Sequence, residues 1–305
     1  MIGFHIAEST RTVSLNIVLA DLMKEKPECF RDDFRIASYF GSPAVIWNGG
    51  RMILGEFYPD RAKAVIDGYN ARGIPYRFTF TNPSVTEKEL GDRDCNYLLD
   101  MADNGMNEVI VNSPILEDYI RRTHPDMKIT SSTCKCIRSI EDVKEELAKP
   151  YSLVVLDYNF NNDFEALEKL TPEERKRCEI LINPRCVPNC PRRKEHYKYI
   201  GDVMLKLNDL RTMSPEERRK YSEWECKYRA CDIYEETLSE RYITAEGVFG
   251  KYKEMGFENF KIEGRATNLM VLGEQLALYL ANPEKRDLMR YKLMNITLDY
   301  AYLNY

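Results

Sequence analysis

A chain of 305 residues with 44% hydrophobic residues can bury a sizeable core, and 44 Lys+Arg against 49 Asp+Glu leave a formal charge of -5. That balance excludes an overall electrostatic footprint for nucleic acid or an anionic membrane, although Arg192, Arg193 and Lys194 follow one another. No apolar run approaches the roughly 18 residues of a spanning helix, and Met1-Ile2-Gly3-Phe4-His5 lacks the layout of a signal peptide, so the expected location is the cytoplasm.

Short apolar segments alternate with amphipathic stretches of helical spacing. Strands are expected at Gly3–Ala7, Ala44–Trp47, Tyr76–Thr81, Glu108–Val111, Lys128–Ser131, Leu153–Leu156, Glu179–Ile182 and Phe260–Ile262. Helices are expected between most of them, at Ser14–Lys24, Arg61–Arg72, Thr86–Asn104, Ile115–Arg122, Ile140–Ala148 and Phe164–Leu170. Eight such units predict an α/β fold, a (β/α)8 TIM-like barrel in one domain over residues 1–305. The alternation breaks once, between strands seven and eight. Residues 194–240 there read as a helical insertion, followed by an extended piece at Tyr242–Thr244 and a helix at Ala245–Met255. Two C-terminal helices, Asn268–Ala281 and Glu284–Tyr302, are expected to pack on the barrel. Tyr291, Tyr300, Tyr302 and Tyr305 could make a homodimer contact, though aromatics at helical spacing usually pack into a core.

Polar residues end each strand: Glu8, Asn48, Asn82, Asn112, Ser132-Thr133-Cys134, Asp157-Tyr158-Asn159, Asn183 and Glu263. In a β/α barrel these converge on the C-terminal face, where active sites of the fold lie. Asn48, Asn82, Asn112 and Asn183 are the expected substrate-binding residues, and Arg51, Glu263 and Arg265 the expected catalytic ones, since arginine forks suit anionic groups. An internal ion pair of Glu263 with Arg265 at the barrel mouth is the plainer alternative.

Nine cysteines in a reducing compartment read as free thiols or metal ligands, and the odd number argues against a complete disulfide framework. The strongest local signal is Asn183-Pro-Arg-Cys186-Val-Pro-Asn-Cys190-Pro191. Its prolines stiffen the loop, so two thiols can meet one ion with less entropy lost. Cys226 and Cys231 could complete a four-thiolate set, with Cys134 as an alternative ligand, and such a set suits zinc or an iron–sulfur cluster. Cys29, Cys95 and Cys178 read as small buried hydrophobes.

Several segments together resemble the collagenase-like U32 peptidase family of β/α-barrel proteins. They are Gly41 with Asn48-Gly49-Gly50-Arg51, Tyr76–Asn82, Gly105-Met-Asn-Glu-Val-Ile-Val111, Pro125 leading to Ser131-Ser132-Thr133, and Phe260-Lys-Ile-Glu-Gly-Arg265. The resemblance runs from about Phe40 to about Tyr279. Asn183-Pro184-Arg185 replaces the family's usual histidine-glycine-alanine lead-in to the first central cysteine, and the cysteine array is compressed. The chain therefore resembles a divergent branch, of a kind found in anaerobes. The resemblance implies either a peptidase or an oxygen-independent hydroxylation protein carrying a 4Fe-4S cluster.

The expected function is thus an iron–sulfur barrel enzyme acting on an unidentified small-molecule, RNA or peptide substrate. Zinc is the alternative metal. A peptidase with Cys134 as nucleophile and His196 as base is the alternative chemistry, without support from an HExxH or GxSxG motif. A non-enzymatic, metal-stabilised scaffold would instead bind a partner protein through charged helices such as Ser214–Lys227.

Overall fold

The computed structural model describes residues 1–9, 11–222, 224–225, 237–264 and 268–303. Eight parallel strands close into a barrel in sequential order. They are β1 Ile2–Ala7, β2 Phe34–Gly41, β3 Tyr76–Phe80, β4 Glu108–Val111, β5 Lys128–Ser131, β6 Val154–Val155, β7 Cys178–Leu181 and β8 Asn259–Ile262. The helices between them are α1 Val13–Glu25, α2 Pro59–Asn70, α3 Arg93–Ala102, α4 Pro114–Thr123, α5 Ile140–Leu147, α6 Phe164–Leu167 and α7 Pro172–Lys176. This is the expected TIM-like barrel. After β7 come α8 Arg193–Leu205, α9 Leu207–Thr212 and α10 Pro215–Ser222, and Ala245–Gly247 with Val248–Tyr252 leads into β8. The chain closes with α11 Leu269–Leu280 and α12 Arg286–Leu303, which pack on each other and, through α12, on α1. Among the described residues no helix is long and apolar enough to cross a membrane.

The second strand lies elsewhere than expected. Ala44–Trp47 is not a strand, and β2 runs over Phe34–Gly41. Both segments are short, apolar and buried, and such runs look alike by periodicity. The backbone around Trp47 turns instead, with Val45 N donating to Pro43 O at 2.9 Å and Asn48 N to Val45 O at 3.1 Å. Trp47 plugs against Phe80 and Tyr119, edge-on at 5.3 and 5.9 Å between ring centroids. The piece Tyr242–Thr244 lies outside helix and strand, and Ile243 N donates to Ile182 O at 2.9 Å.

The barrel interior holds a charged cluster. Arg77 Nη1 donates to Glu179 Oε2 at 2.6 Å and to His5 Nδ1 at 2.7 Å, while its Nη2 donates to Thr130 Oγ1 at 2.9 Å. Lys261 Nζ adds a bond to Glu179 Oε1 at 3.0 Å and lies 3.8 Å from the Phe40 ring centroid. Because Arg77 is a donor only, His5 Nδ1 must accept, so the imidazole is neutral with its proton on Nε2. Burial first, then Arg77 and Lys261, hold the His5 pKa at about 3 against the opposing pull of Glu179.

The sign follows directly. Below His5's ordinary value of 6.5 the unfolded chain takes up a proton that the barrel refuses down to about 3, so stability falls as pH falls through that window. The expected slope from this group is about 1.4 kcal/mol per pH unit. Urea unfolding at pH 7.5, 6 and 5 should show it, and His5→Gln, which keeps an acceptor for Arg77, should flatten the dependence. An equal slope in the variant would acquit His5.

Candidate active site at the barrel mouth

Strand ends and α8 enclose a cavity of about 510 Å³ at the C-terminal face. Phe40, Thr79, Ile110, Val155, Leu181 and Lys261, carried by six different strands, form its floor. The wall includes Arg51, Cys134, Tyr158, Cys186, Glu263 and three side chains of α8, namely Arg193, His196 and Tyr197. A cavity of this size fits a small ligand.

Arg51 and Glu263, 212 positions apart, meet as an ion pair across the mouth. Arg51 Nη1 also donates to Gly50 O at 2.7 Å. Glu263 raises the Arg51 pKa further, so its charge is permanent, and Cys134 is near enough to add to that shift. The glycines before Arg51 are required by space and backbone. A Cβ on Gly49 would come within 2.5 Å of the Thr81 carbonyl carbon, and Gly50 has a φ of +70°. Glu263 pairs with Arg51; Arg265, the partner expected for it, lies outside the described residues.

The four asparagines spend their amides within the protein, and none borders the cavity. Asn48 binds Arg51 O and Thr79 Oγ1, at 3.0 and 2.9 Å. Asn82 ties Ile46 O and Gly201 O, at 2.7 and 3.1 Å. Asn112 reaches Thr81 O at 3.4 Å. Asn183 and the Glu263 backbone exchange two bonds, at 2.7 and 3.0 Å. These side chains fasten the loops that carry the site.

Cys134 sits on the 3₁₀ turn Thr133–Lys135, where Ser132 Oγ accepts from its backbone N–H at 3.1 Å. Cys136 follows in the left-handed region at φ 54° and is buried, its thiol accepting from Arg193 Nε at 3.3 Å. In the proline-rich loop, the Cys186 and Cys190 thiols are within hydrogen-bonding reach of each other. Burial first, then Cys190, raises the Cys186 pKa, while Tyr158 and Arg51 favour the thiolate. Asn189, at φ 52°, pins this loop by donating its N–H to Asn159 Oδ1 at 2.8 Å. Cys29, Cys95 and Cys178 are free and buried, as expected of small hydrophobes.

Among the described residues no group of three or more His, Cys, Asp or Glu is placed to hold a metal ion. Cys186 and Cys190 make a pair, and Cys226 and Cys231, the other expected ligands, lie outside the described residues. The described thiols alone do not fit a four-thiolate cluster.

His196, on the first turn of α8, stacks on Trp224 with centroids 4.8 Å apart and planes 4° apart. Arg192 lies 4.3 Å from the centre of the same indole. Burial, then Arg51 and Arg192, lower the His196 pKa to about 4, so its imidazole is neutral at physiological pH. The sequence reading missed the place of Arg193 and Tyr197. A basic run usually marks a solvated face, yet Arg193 is only 2% exposed. Its position just after Cys190-Pro191, in the segment that follows the strand-ending Asn183, was the available signal.

No family model matches the chain. It is 19% identical over 208 residues to an uncharacterised protease of Methanocaldococcus jannaschii, a match covering 65% of this chain and 60% of that protein. Among solved structures it is similar to the U32 peptidase Mk0906, with a TM-score of 0.52 and 13% identity over 87% of this chain and 93% of the other. The fold is thus shared with a U32 peptidase. The curated match is to a protein described as a protease, and the chain spans less than two thirds of that protein's length.

Proposed function

We propose that this chain is a peptidase-type hydrolase working in the mouth cavity, with Cys134 as nucleophile, His196 as proton acceptor and Arg51 beside the developing negative charge. One observation carries the reading: a thiol, a neutral imidazole and a permanent cation border a single ligand-sized cavity at the C-terminal face. The likeness to proteins described as peptidases supports it. Cys134 Sγ would attack the amide carbonyl carbon while its proton passes to His196 and then to the departing amine. Water would next cleave the thioester, releasing the acid and restoring the thiol. Arg51 would stabilise the oxyanion. Incubating the purified chain with a mixture of short peptides, and reading new termini by mass spectrometry, tests the proposal. Cleavage should stop when Cys134 is alkylated; intact peptides throughout, or cleavage that survives full alkylation, would refute it.

A second reading is favoured by the Cys186–Cys190 contact. Here the two thiols are half of a metal centre, an iron–sulfur cluster or a zinc ion, completed by thiols among residues 226–236, and the cavity serves an oxygen-independent reaction on a small molecule, RNA or peptide. Anaerobic purification with iron, sulfide and zinc quantitation should find metal in the parent chain and far less in Cys186→Ala. Metal retained in full by the variant would move the centre away from this loop.

A further inference from the structure

The loop between β2 and α2, residues 42–58, has two parts that are held very differently. Residues 44–50 are buried. Asn82 fastens them, its backbone N–H donating to Trp47 O at 3.1 Å and its amide to Ile46 O at 2.7 Å, and Trp47 Nε1 donates to Glu89 O at 2.9 Å. Past Arg51 the loop changes character. Among the described residues no backbone hydrogen bond joins residues 52–57 to another part of the chain. Met52, Ile53 and Phe57 pack partly buried against the core, whereas Leu54, Gly55 and Glu56 are exposed. The polar attachment of this stretch comes from one side chain of α9. Arg211 Nε donates to Gly55 O at 3.1 Å and lies 3.6 Å from the Glu56 carboxylate, while Nη2 donates to Ala44 O at 3.0 Å.

We propose that residues 52–57 form a lid at the barrel mouth and that Arg211 is the latch that holds it shut. The mouth lies between Arg51 and Met52 of this loop on one side and His196, Tyr197 and Ile200 of α8 on the other. Helix α9 follows α8 directly, so Arg211 ties one wall of the cavity to the other. A segment with few buried apolar contacts and no backbone bonds opens locally at low cost, and such segments gate access to enclosed sites. The fixed part of the loop ends at Arg51, whose carbonyl accepts from Asn48 and whose guanidinium pairs with Glu263. The chain can therefore pivot after Arg51 and again at Tyr58, the extended residue before α2, without disturbing that pair. A planar fork suits the task, because it holds the buried end of the loop at Ala44 and the exposed end at Gly55 together. The lid governs entry to the cavity under either chemistry proposed for it.

Thiol labelling of the full chain, followed residue by residue by mass spectrometry, tests the latch without a substrate. Cys134 and Cys186 border the cavity, whereas Cys95 and Cys178 are wholly buried in the core and report general unfolding. Two reagents are compared, iodoacetamide and a maleimide carrying a bulky polyethylene glycol chain. Arg211→Met should speed the bulky reagent at Cys134 by at least about tenfold, the change in opening expected when a charged donor loses its carbonyl. The small reagent should gain much less, since Cys134 is half-buried rather than sealed. A change in the reactivity of the thiol itself would speed both reagents alike. Arg211→Lys, which keeps the charge but not the fork, should fall between parent and methionine variant. Glu56→Gln, an exposed change that leaves the fold alone, should give a gain of about twofold. Parental rates in Arg211→Met, equal gains for the two reagents, or gains at Cys95 and Cys178 as large as at Cys134 would each overturn the lid.

Discussion

Cys134→Ala is expected to lower peptide turnover by at least about a thousandfold, because deleting a nucleophile removes the covalent route altogether. The fold should survive. Cys134 is half-buried on a short turn whose hydrogen bonds come from backbone and from Ser132, so losing one sulfur leaves no sealed void. A stability change within about 1 kcal/mol follows from that placement. Cys134→Ser keeps the shape but offers a poorer nucleophile, and it should fall between parent and alanine variant. Arg51→Lys adds an independent check. It keeps the charge but breaks the fork to Glu263 and Gly50 O, so kcat should drop more than substrate affinity changes. Alanine at 134 with parental turnover would take the thiol out of the chemistry and the assignment with it.

The barrel was legible because its signal repeats. Strand-and-helix alternation recurs along the chain, so one misplaced strand, Ala44–Trp47 for Phe34–Gly41, left the architecture standing. The misplacement came from a buried loop as apolar as a strand, with Trp47 fully buried. The convergence of Arg51 and Glu263 was legible too, since barrel geometry alone brings strand ends together across 212 positions. The asparagines were read by position rather than by bonding. A short amide at a strand end can reach substrate or a neighbouring loop, and in the folded chain it reaches the second. Arg193 was hidden for a different reason. Its neighbour Lys194 is exposed and Arg192 lies half-buried against Trp224, and nothing in a run of like charges reveals which member turns inward to meet Asp157.

The interior cluster supplies the other large expected effect. Arg77→Met should destabilise the barrel by about 3–5 kcal/mol, the range for removing one partner of a buried ion pair. Burial pushes the Glu179 carboxyl up, but Arg77, followed by Lys261 and His5, more than offsets it and holds the group well below the usual carboxylate range. Without the guanidinium, Glu179 keeps Lys261 as its directly bonded cation among the described residues, and His5 Nδ1 and Thr130 lose the arginine as a donor and keep the Ser38 and Ser152 hydroxyls as neighbours. Lys261 also borders the cavity floor, so the loss should reach ligand binding through the one side chain the two sites share. The double variant Arg77→Met/Glu179→Leu removes both charges and should regain part of the loss, because the stranded carboxylate rather than the missing attraction is the main cost. Urea unfolding of the parent, both single variants and the double variant measures that coupling directly. A double variant no more stable than Arg77→Met would mean that the stranded carboxylate is not the main cost, since removing it also takes from the buried Lys261 its bond to Glu179.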